Sequence, residues 1–515
     1  MPGSLPEDTP HPFVQPLPPR PSLDKQKKLA KRLFRDVCRG DGDALARVTA
    51  LHPRPSAVDD FALHDAQLVV ARGYGYSSWT TLKRKIESLT RSPVEHFVAA
   101  VREGDRETVD RLIRTDADVA AALDKPLFDF DQPAVHIARN DLPMLDLLLE
   151  HGADLHARSQ WKYGGFGILD GVAPERAEAL IARGAQLDPW SAAHLGQEGA
   201  LVRLLDEDPT LVNAKGGDGK RPLHCAATPE IADLLLERGA EIDALDDDHT
   251  STPAQYAVRS RPKVCRRLVA KGAKTDLLMA VALGDLDLVR RHLETDPEVV
   301  GMAVHPDWFP MHHTADNGGH IYQWELGVYK TAFEIARELG HTDVLAELER
   351  RAGPRDLLTD ALRRGDTATG DALLDADPNL VADAGTDLQR AAADAARGND
   401  AEAVAAMLER GFPVDAVSQH GATALHWAAF HGNPSMVRTV LQHGPPLEAR
   451  DRDFDSTPLG WAIHGTRGSW PGVSTDDHGP CVELLLGAGA DCPTEAFPVG
   501  DDRVDRILRA HLFGS

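Results

Sequence analysis

Gly421-Ala422-Thr423-Ala424-Leu425-His426-Trp427-Ala428-Ala429 opens a stretch that runs on through an apolar-patterned segment and closes at Gly444. A relative of it, Arg221-Pro222-Leu223-His224-Cys225-Ala226-Ala227, stands 202 positions earlier, counted between the matching leucines (425 − 223). Each begins with a capping or proline residue, continues with small side chains, and is followed by a Leu-rich amphipathic run ending in Gly. Recurrence with this internal order marks a repeat array. One such unit cannot bury its apolar face alone, so neighbours must stack and share it.

Working outward, the same punctuation recurs. Glycines close Leu-rich segments at Gly152, Gly184, Gly239, Gly272, Gly411, Gly444 and Gly489, with spacings such as 184 − 152 = 32, 272 − 239 = 33 and 444 − 411 = 33. Glycine there supplies the left-handed turn that ends a helix. Asp208-Pro209, Asp296-Pro297 and Asp377-Pro378 stop the chain at matching places in other units. Thr252-Pro253 and Thr457-Pro458 set a hydroxyl at the N-cap and proline at the first helical position, where its missing N–H costs nothing. Leucine triplets at 147–149, 234–236 and 484–486 supply the bulk of the second helix.

These stretches resemble the ankyrin repeat over about residues 93–512, and the chain is similar to multi-repeat ankyrin proteins common in bacteria. The resemblance implies an all-α solenoid of stacked helix-turn-helix repeats with short β-hairpin fingers. It also implies a concave face, lined by fingers and first helices, that binds a protein or peptide. In such units His224 and His426 are structural residues whose rings link neighbouring turns by hydrogen bonds.

Composition agrees with thin helical layers. The chain has 515 residues, 42% hydrophobic but only 5% aromatic. Its 56 basic and 80 acidic residues leave a formal charge of −24, which disfavours nucleic acid and anionic membranes as partners and favours basic ones. Five scattered cysteines without a CxxC pair fit a reducing cytoplasm. No apolar run has transmembrane length, and prolines and acids stand where a signal peptide needs an apolar stretch. The organisation expected is a disordered Pro-rich tail (1–22), N-terminal helical hairpins (23–91), ankyrin-like repeats (92–303), an inserted aromatic and histidine loop (304–330), then further repeats and a C-terminal cap (331–515). The hairpin around Leu63–Trp79 resembles a helical leader seen in front of such arrays.

Breaks in the period mark surface loops that leave the stack. Leu459 to Gly489 spans 30 residues against 19 for Leu425 to Gly444, so about 11 extra residues fall within 464–480. The larger break, 304–330, concentrates Trp308, Phe309, Tyr322, Trp324 and Tyr329 with four histidines in an aromatic-poor chain. Aromatics give large contact area with few rotors, so Trp308, Phe309, His312, His313, His320, Tyr322 and Trp324 are the first candidates for partner contact. Trp161, Tyr163 and Phe166 of an earlier finger are the second. Two other readings stand beside it. The loop can fold on its own aromatics, or His305, Asp307, His312, His313 and His320 can ligate a metal, although their spacing fits no known motif.

The fingers around Asp246-Asp247-Asp248-His249 and Asp451-Arg452-Asp453-Phe454-Asp455 are expected to be acidic solvated turns. An EF-hand is rejected because Ser456 and Ala462 stand where its Gly and Glu belong. Lys215-Gly216-Gly217-Asp218-Gly219-Lys220-Arg221 only faintly resembles a P-loop, with Ala214 and Arg221 at the wrong places. No catalytic signature and no cofactor motif is found. The reading is a non-enzymatic interaction scaffold, and its alternative is a small-molecule or metal site, possibly catalytic, beneath the 304–330 insertion.

Overall fold

The computed structural model describes residues 12–53, 61–90, 92–312, 319–382, 385–466, 478–492 and 497–513. The chain forms two compact units. One, here called the central unit, is Ser92–Asp356, and the other, the composite unit, joins Met1–Arg91 to Leu357–Ser515.

In the central unit helices come in antiparallel pairs. They include Pro93–Glu103 with Arg106–Thr115, Ala134–Ala138 with Leu142–Glu150, and Pro189–His194 with Glu198–Glu207. Pro253–Tyr256 with Pro262–Ala270, Leu277–Leu283 with Leu286–Thr295, and Ala332–Glu338 with Thr342–Arg351 continue the pattern. The sequence caps act as read. Thr252 Oγ1 accepts the Gln255 N–H at 3.3 Å while Gln255 Oε1 accepts the Thr252 N–H at 2.9 Å, a reciprocal capping box. All seven closing glycines, in both units, have positive φ, from 66° at Gly444 to 100° at Gly184. The core follows the second helices of the pairs, with Leu148, Leu235 and Leu268 fully buried. One unit departs from the pattern. Before Pro174–Ile181 the first helix is replaced by turns, in a stretch holding Gly164, Gly165 and Gly167. Glycine weakens a helix by leaving more backbone freedom to lose on folding.

The composite unit contains the pairs Ala391–Arg397 with Ala401–Glu409, Ala424–Phe430 with Pro434–Leu441, and Pro458–Gly465 with His478–Gly487, then the helix Asp502–Phe513. Four helices from the start of the chain, Leu23–Cys38, Gly42–Leu51, Leu63–Arg72 and Trp79–Thr90, belong to the same body. Phe34 packs at 6.1 Å from Phe61 and 5.1 Å from Phe497, centroid to centroid. Lys31 Nζ donates to Pro498 O at 2.7 Å, and an Arg509 guanidinium nitrogen donates to Phe61 O at 3.0 Å. These leading hairpins thus share a hydrophobic core with the last helix. In the proline-rich segment, Phe13 and Leu17 pack against that core and the Gln15 N–H donates to Gly73 O at 2.9 Å; residues 1–11 lie outside the described ones. So does most of the extra stretch at 464–480, namely 467–477.

Regular structure among the described residues is helical, and the fingers close by isolated antiparallel bridges, Phe128 to Gln132, Ala303 to Thr331 and Val417 to Thr423. Among the described residues no helix is long and apolar enough to cross a membrane.

Candidate interaction surface

The acidic fingers match the solvated turns expected of them at 452–455, which are exposed, but not at Asp246, Asp248 and Asp451, which are buried. Asp246 and Asp451 are 2% and 3% exposed. Asp246 accepts the N–H groups of His249 and Ser251, both at 2.7 Å, and the Tyr256 hydroxyl at 3.0 Å. Asp451 accepts the N–H groups of Asp453, Phe454 and Ser456 and the Trp461 indole N–H at 2.9 Å. Each carboxylate therefore organises its finger and ties it to the next helix. Burial pushes the Asp246 carboxyl up from its ordinary range. Burial acts the same way on Asp451, but the donated bonds from Trp461 and the finger backbone outweigh it and hold the group below that range. The buried histidines of both repeats complete the linkage: His224 Nε2 reaches Ser251 O and His426 Nε2 reaches Ser456 O, each at 3.1 Å, while Nδ1 accepts the N–H of Arg221 or Thr423. Their roles as Nε2 donors follow from those partners.

The 304–330 insertion is fastened at its base by Val304 N–H to Lys330 O (2.9 Å) and Tyr329 N–H to Val304 O (3.1 Å). Its centre is an aromatic knot. Phe309 stacks on His320 at 4.6 Å, and Tyr322 meets both edge-on at 5.1 and 4.8 Å. Tyr322 is 0% exposed and donates to Asp276 Oδ2 at 2.8 Å. Burial pulls the His320 ring down to about 3. The insertion is laid along the preceding finger and first helix. His249 Nδ1 lies 2.7 Å from Gly319 O, the Ile321 N–H donates to Ser251 Oγ at 3.2 Å, and Glu325 Oε2 accepts the N–H groups of Arg259 and Ser260.

The first-choice residues thus divide. Phe309, His320 and Tyr322 are buried within the insertion, and Trp308 is half-buried against the core of the central unit. Trp324 is 72% exposed, and His312 is exposed, with its N–H on Thr250 Oγ1 at 3.3 Å. His313 lies outside the described residues. Of the alternative metal set, His305 and Asp307 are neighbours, with Nδ1 3.3 Å from Oδ2. Among the described residues His305, Asp307, His312 and His320 do not gather as a group of three ligands.

The earlier finger forms a second aromatic cluster. Phe130, 56% exposed at φ 58°, meets Trp161 edge-on at 5.3 Å; Trp161 meets Tyr163 at 5.8 Å, and Lys162 Nζ lies 4.8 Å from the Tyr163 ring centre. The Trp161 indole nitrogen is buried and has no hydrogen-bond acceptor among the described residues. The run that faintly resembled a P-loop is packing material instead. A Cβ on Gly216 would come within 2.7 Å of the Trp190 ring, and one on Gly217 within 2.3 Å of Phe166, so only glycine lets these fingers approach.

In the composite unit the sequence reading missed a further cluster. Trp427 and Trp461 occupy matching first-helix positions (461 − 427 = 34) and meet edge-on at 4.9 Å. Phe430 lies 5.6 Å from Trp461, and Phe454 stands over this group 65% exposed. The available signal was an aromatic residue recurring at one place in successive units.

Comparison with known proteins follows the same segments. The family model for ankyrin repeats matches three times, over residues 190–279, 357–451 and 392–496. The transient receptor potential cation channel subfamily A member 1 homolog of Caenorhabditis elegans is 28% identical over 275 residues, 51% of this chain and 18% of that protein. The serine/threonine-protein kinase VIK of Arabidopsis thaliana is 37% identical over 75 residues, 14% of this chain and 17% of that one. The palmitoyltransferase ZDHHC13 of Mus musculus is 32% identical over 85 residues, 16% of this chain and 12% of that one. The chain spans less than a fifth of the length of each of these relatives. With paired helices, glycine-closed turns and three matches to the family model, the chain is an ankyrin-repeat protein.

Proposed function

We propose that the protein is a non-catalytic interaction scaffold that holds a protein or peptide partner at its finger tips and insertion. One observation carries this reading. Among the described residues three aromatic side chains are more than half exposed, Phe130 (56%), Trp324 (72%) and Phe454 (65%), and all lie on fingers or the insertion. Exposed aromatics of this kind anchor interfaces, because they bury much area while few rotors are frozen. The relatives support it from another side. Their names differ in activity, and each shares with this chain a segment that is less than a fifth of its own length. The formal charge of −24 favours a basic partner whose association is steered electrostatically and slowed by salt.

The test is affinity capture from a native lysate with wild type and with Phe130→Ala/Trp324→Ala/Phe454→Ala, read by quantitative mass spectrometry. The purified partner is then studied by association kinetics at several salt concentrations. A partner held by wild type and lost by the variant sustains the proposal. Equal capture by both removes the aromatic tips from it, and a salt-independent on-rate removes the electrostatic part.

A further inference from the structure

Two successive fingers of the central unit bring Asp218, Asp248 and His249 together, with ligand atoms all within 4.8 Å of one another, and among the described residues no other such group of three forms. The backbone sets this approach. Asp218 sits at φ 60°, and its carbonyl accepts the N–H of Asp247 at 2.9 Å and of Asp248 at 3.1 Å, which clamps the second finger onto the first. The three side chains are 14%, 8% and 12% exposed, so water supplies little of their solvation.

The orientation of the ring is the decisive point. His249 Nδ1 lies 2.7 Å from the Gly319 carbonyl oxygen, outside the group. A carbonyl can only accept, so Nδ1 carries hydrogen. Nε2 is left facing the carboxylates, 3.8 Å from Asp248 Oδ2. In a neutral ring Nε2 is a bare lone pair, and a lone pair held against two carboxylates is repelled. A cation placed at Nε2, a proton or a metal ion, relieves that repulsion, as does a proton held on one of the two carboxyls. A ligating histidine is oriented in this way, with its far N–H fixed by a backbone carbonyl. Other charge nearby includes Lys220, whose Nζ lies 3.3 Å from Asp218 Oδ2, and the Asp246 carboxylate, which also acts on His249.

We propose that Asp218, Asp248 and His249 bind one divalent ion of the Zn²⁺ class, in competition with the Lys220 ammonium. One imidazole with two carboxylates suits a borderline ion, whereas Mg²⁺ and Ca²⁺ prefer oxygen alone. The ion polarises the imidazole and strengthens its Nδ1–H bond to Gly319, so metal tightens the insertion onto its finger. The composite unit provides an internal contrast. At the matching places stand His420, Asp453 and Phe454, and there His420 Nδ1 and Asp453 Oδ2 pair at 2.7 Å while Phe454 replaces the third ligand. This proposal is independent of the interaction reading.

The experiment is equilibrium dialysis of the full chain against Zn²⁺, with Co²⁺ substitution to read ligation from its visible absorption. One ion per chain is expected. Asp248→Asn and His249→Gln should each lower affinity at least about tenfold, His312→Ala should leave it unchanged, and Lys220→Met, which removes the competing charge, should raise it. Circular dichroism checks that each variant folds. If Asp248→Asn does not, the Lys220→Met gain and the shift of the His249 ring resonances on adding Zn²⁺ still decide. Absence of binding, with His249 titrating as an imidazolium, overturns the proposal in favour of a proton at Nε2. Binding that ignores Asp218→Asn and Asp248→Asn overturns it by placing the ion elsewhere.

Discussion

The fingers at 246–252 and 451–457 have one backbone and two surfaces. Both place an aspartate at the first position, a serine five residues on, and a residue with φ 50° before that serine, Thr250 or Asp455. Both tie the aspartate to an aromatic ten residues later, Tyr256 or Trp461. They differ at the tip. His249 turns inward and is bonded beneath the insertion, whereas Phe454 stands in solvent. The repeat thus fixes the frame through the buried aspartate and leaves the tip residue open to vary. Function should accordingly be sought at tips and stability at hubs.

The largest effect should come from the hubs. Asp451→Ala strands three backbone N–H groups and one indole, and Asp246→Ala strands two N–H groups and a hydroxyl, so each should cost roughly 3 kcal/mol or more. Urea unfolding of the two variants measures this. A cost below about 1 kcal/mol for either one breaks the equivalence of the hubs. Next come the cores. Leu235→Ala and Leu425→Ala, both at fully buried positions, should each lose about 2–5 kcal/mol and broaden the transition, because the stack is cooperative only through its neighbours. An unbroadened transition would show that each body unfolds as a single block.

The histidines sharpen the comparison by their pH dependence. Burial pulls His224 down to about 3, with Lys220 adding to the effect, whereas the fall at His426 is opposed by Asp451. A depressed histidine is neutral when folded, but the unfolded chain takes up a proton near 6.5. Its contribution is therefore complete above that pH and is lost as pH falls from there toward about 3. Glutamine does not titrate in this range. His224→Gln should remove more of the acid-side slope than His426→Gln, and equal slopes in chemical denaturation across pH would discard the contrast. The smallest effect belongs to the tips. Trp324→Ala and Phe454→Ala should change stability by no more than about 0.5 kcal/mol, which thermal unfolding checks; a larger loss at Trp324 would make that side chain part of the insertion's own packing.

How far the sequence reached depends on the separation over which each feature is built. Caps and closing turns were legible because Thr252 bonds three residues away and a closing glycine needs only its own φ. The burial of Asp246 was not, since its fate is decided by Tyr256 on the following helix. The division of the insertion into buried Phe309, His320 and Tyr322 and exposed Trp324 was not legible either. Composition gathers these residues in one window, but contacts with residues far back in the chain, Gly319 with His249 and Tyr322 with Asp276 among them, set which side faces inward.

The leading hairpins share a core with Phe497 and the last helix, through contacts such as Lys31 to Pro498, 467 positions apart. On the ribosome this imposes an order of events. At roughly 5–20 residues per second, residues 23–90 wait several tens of seconds for their partners, and Ser92–Asp356, which carries its own core, is synthesised in the interval. The nascent chain therefore passes through a stage with one finished body and a leading segment whose apolar faces are still unmatched.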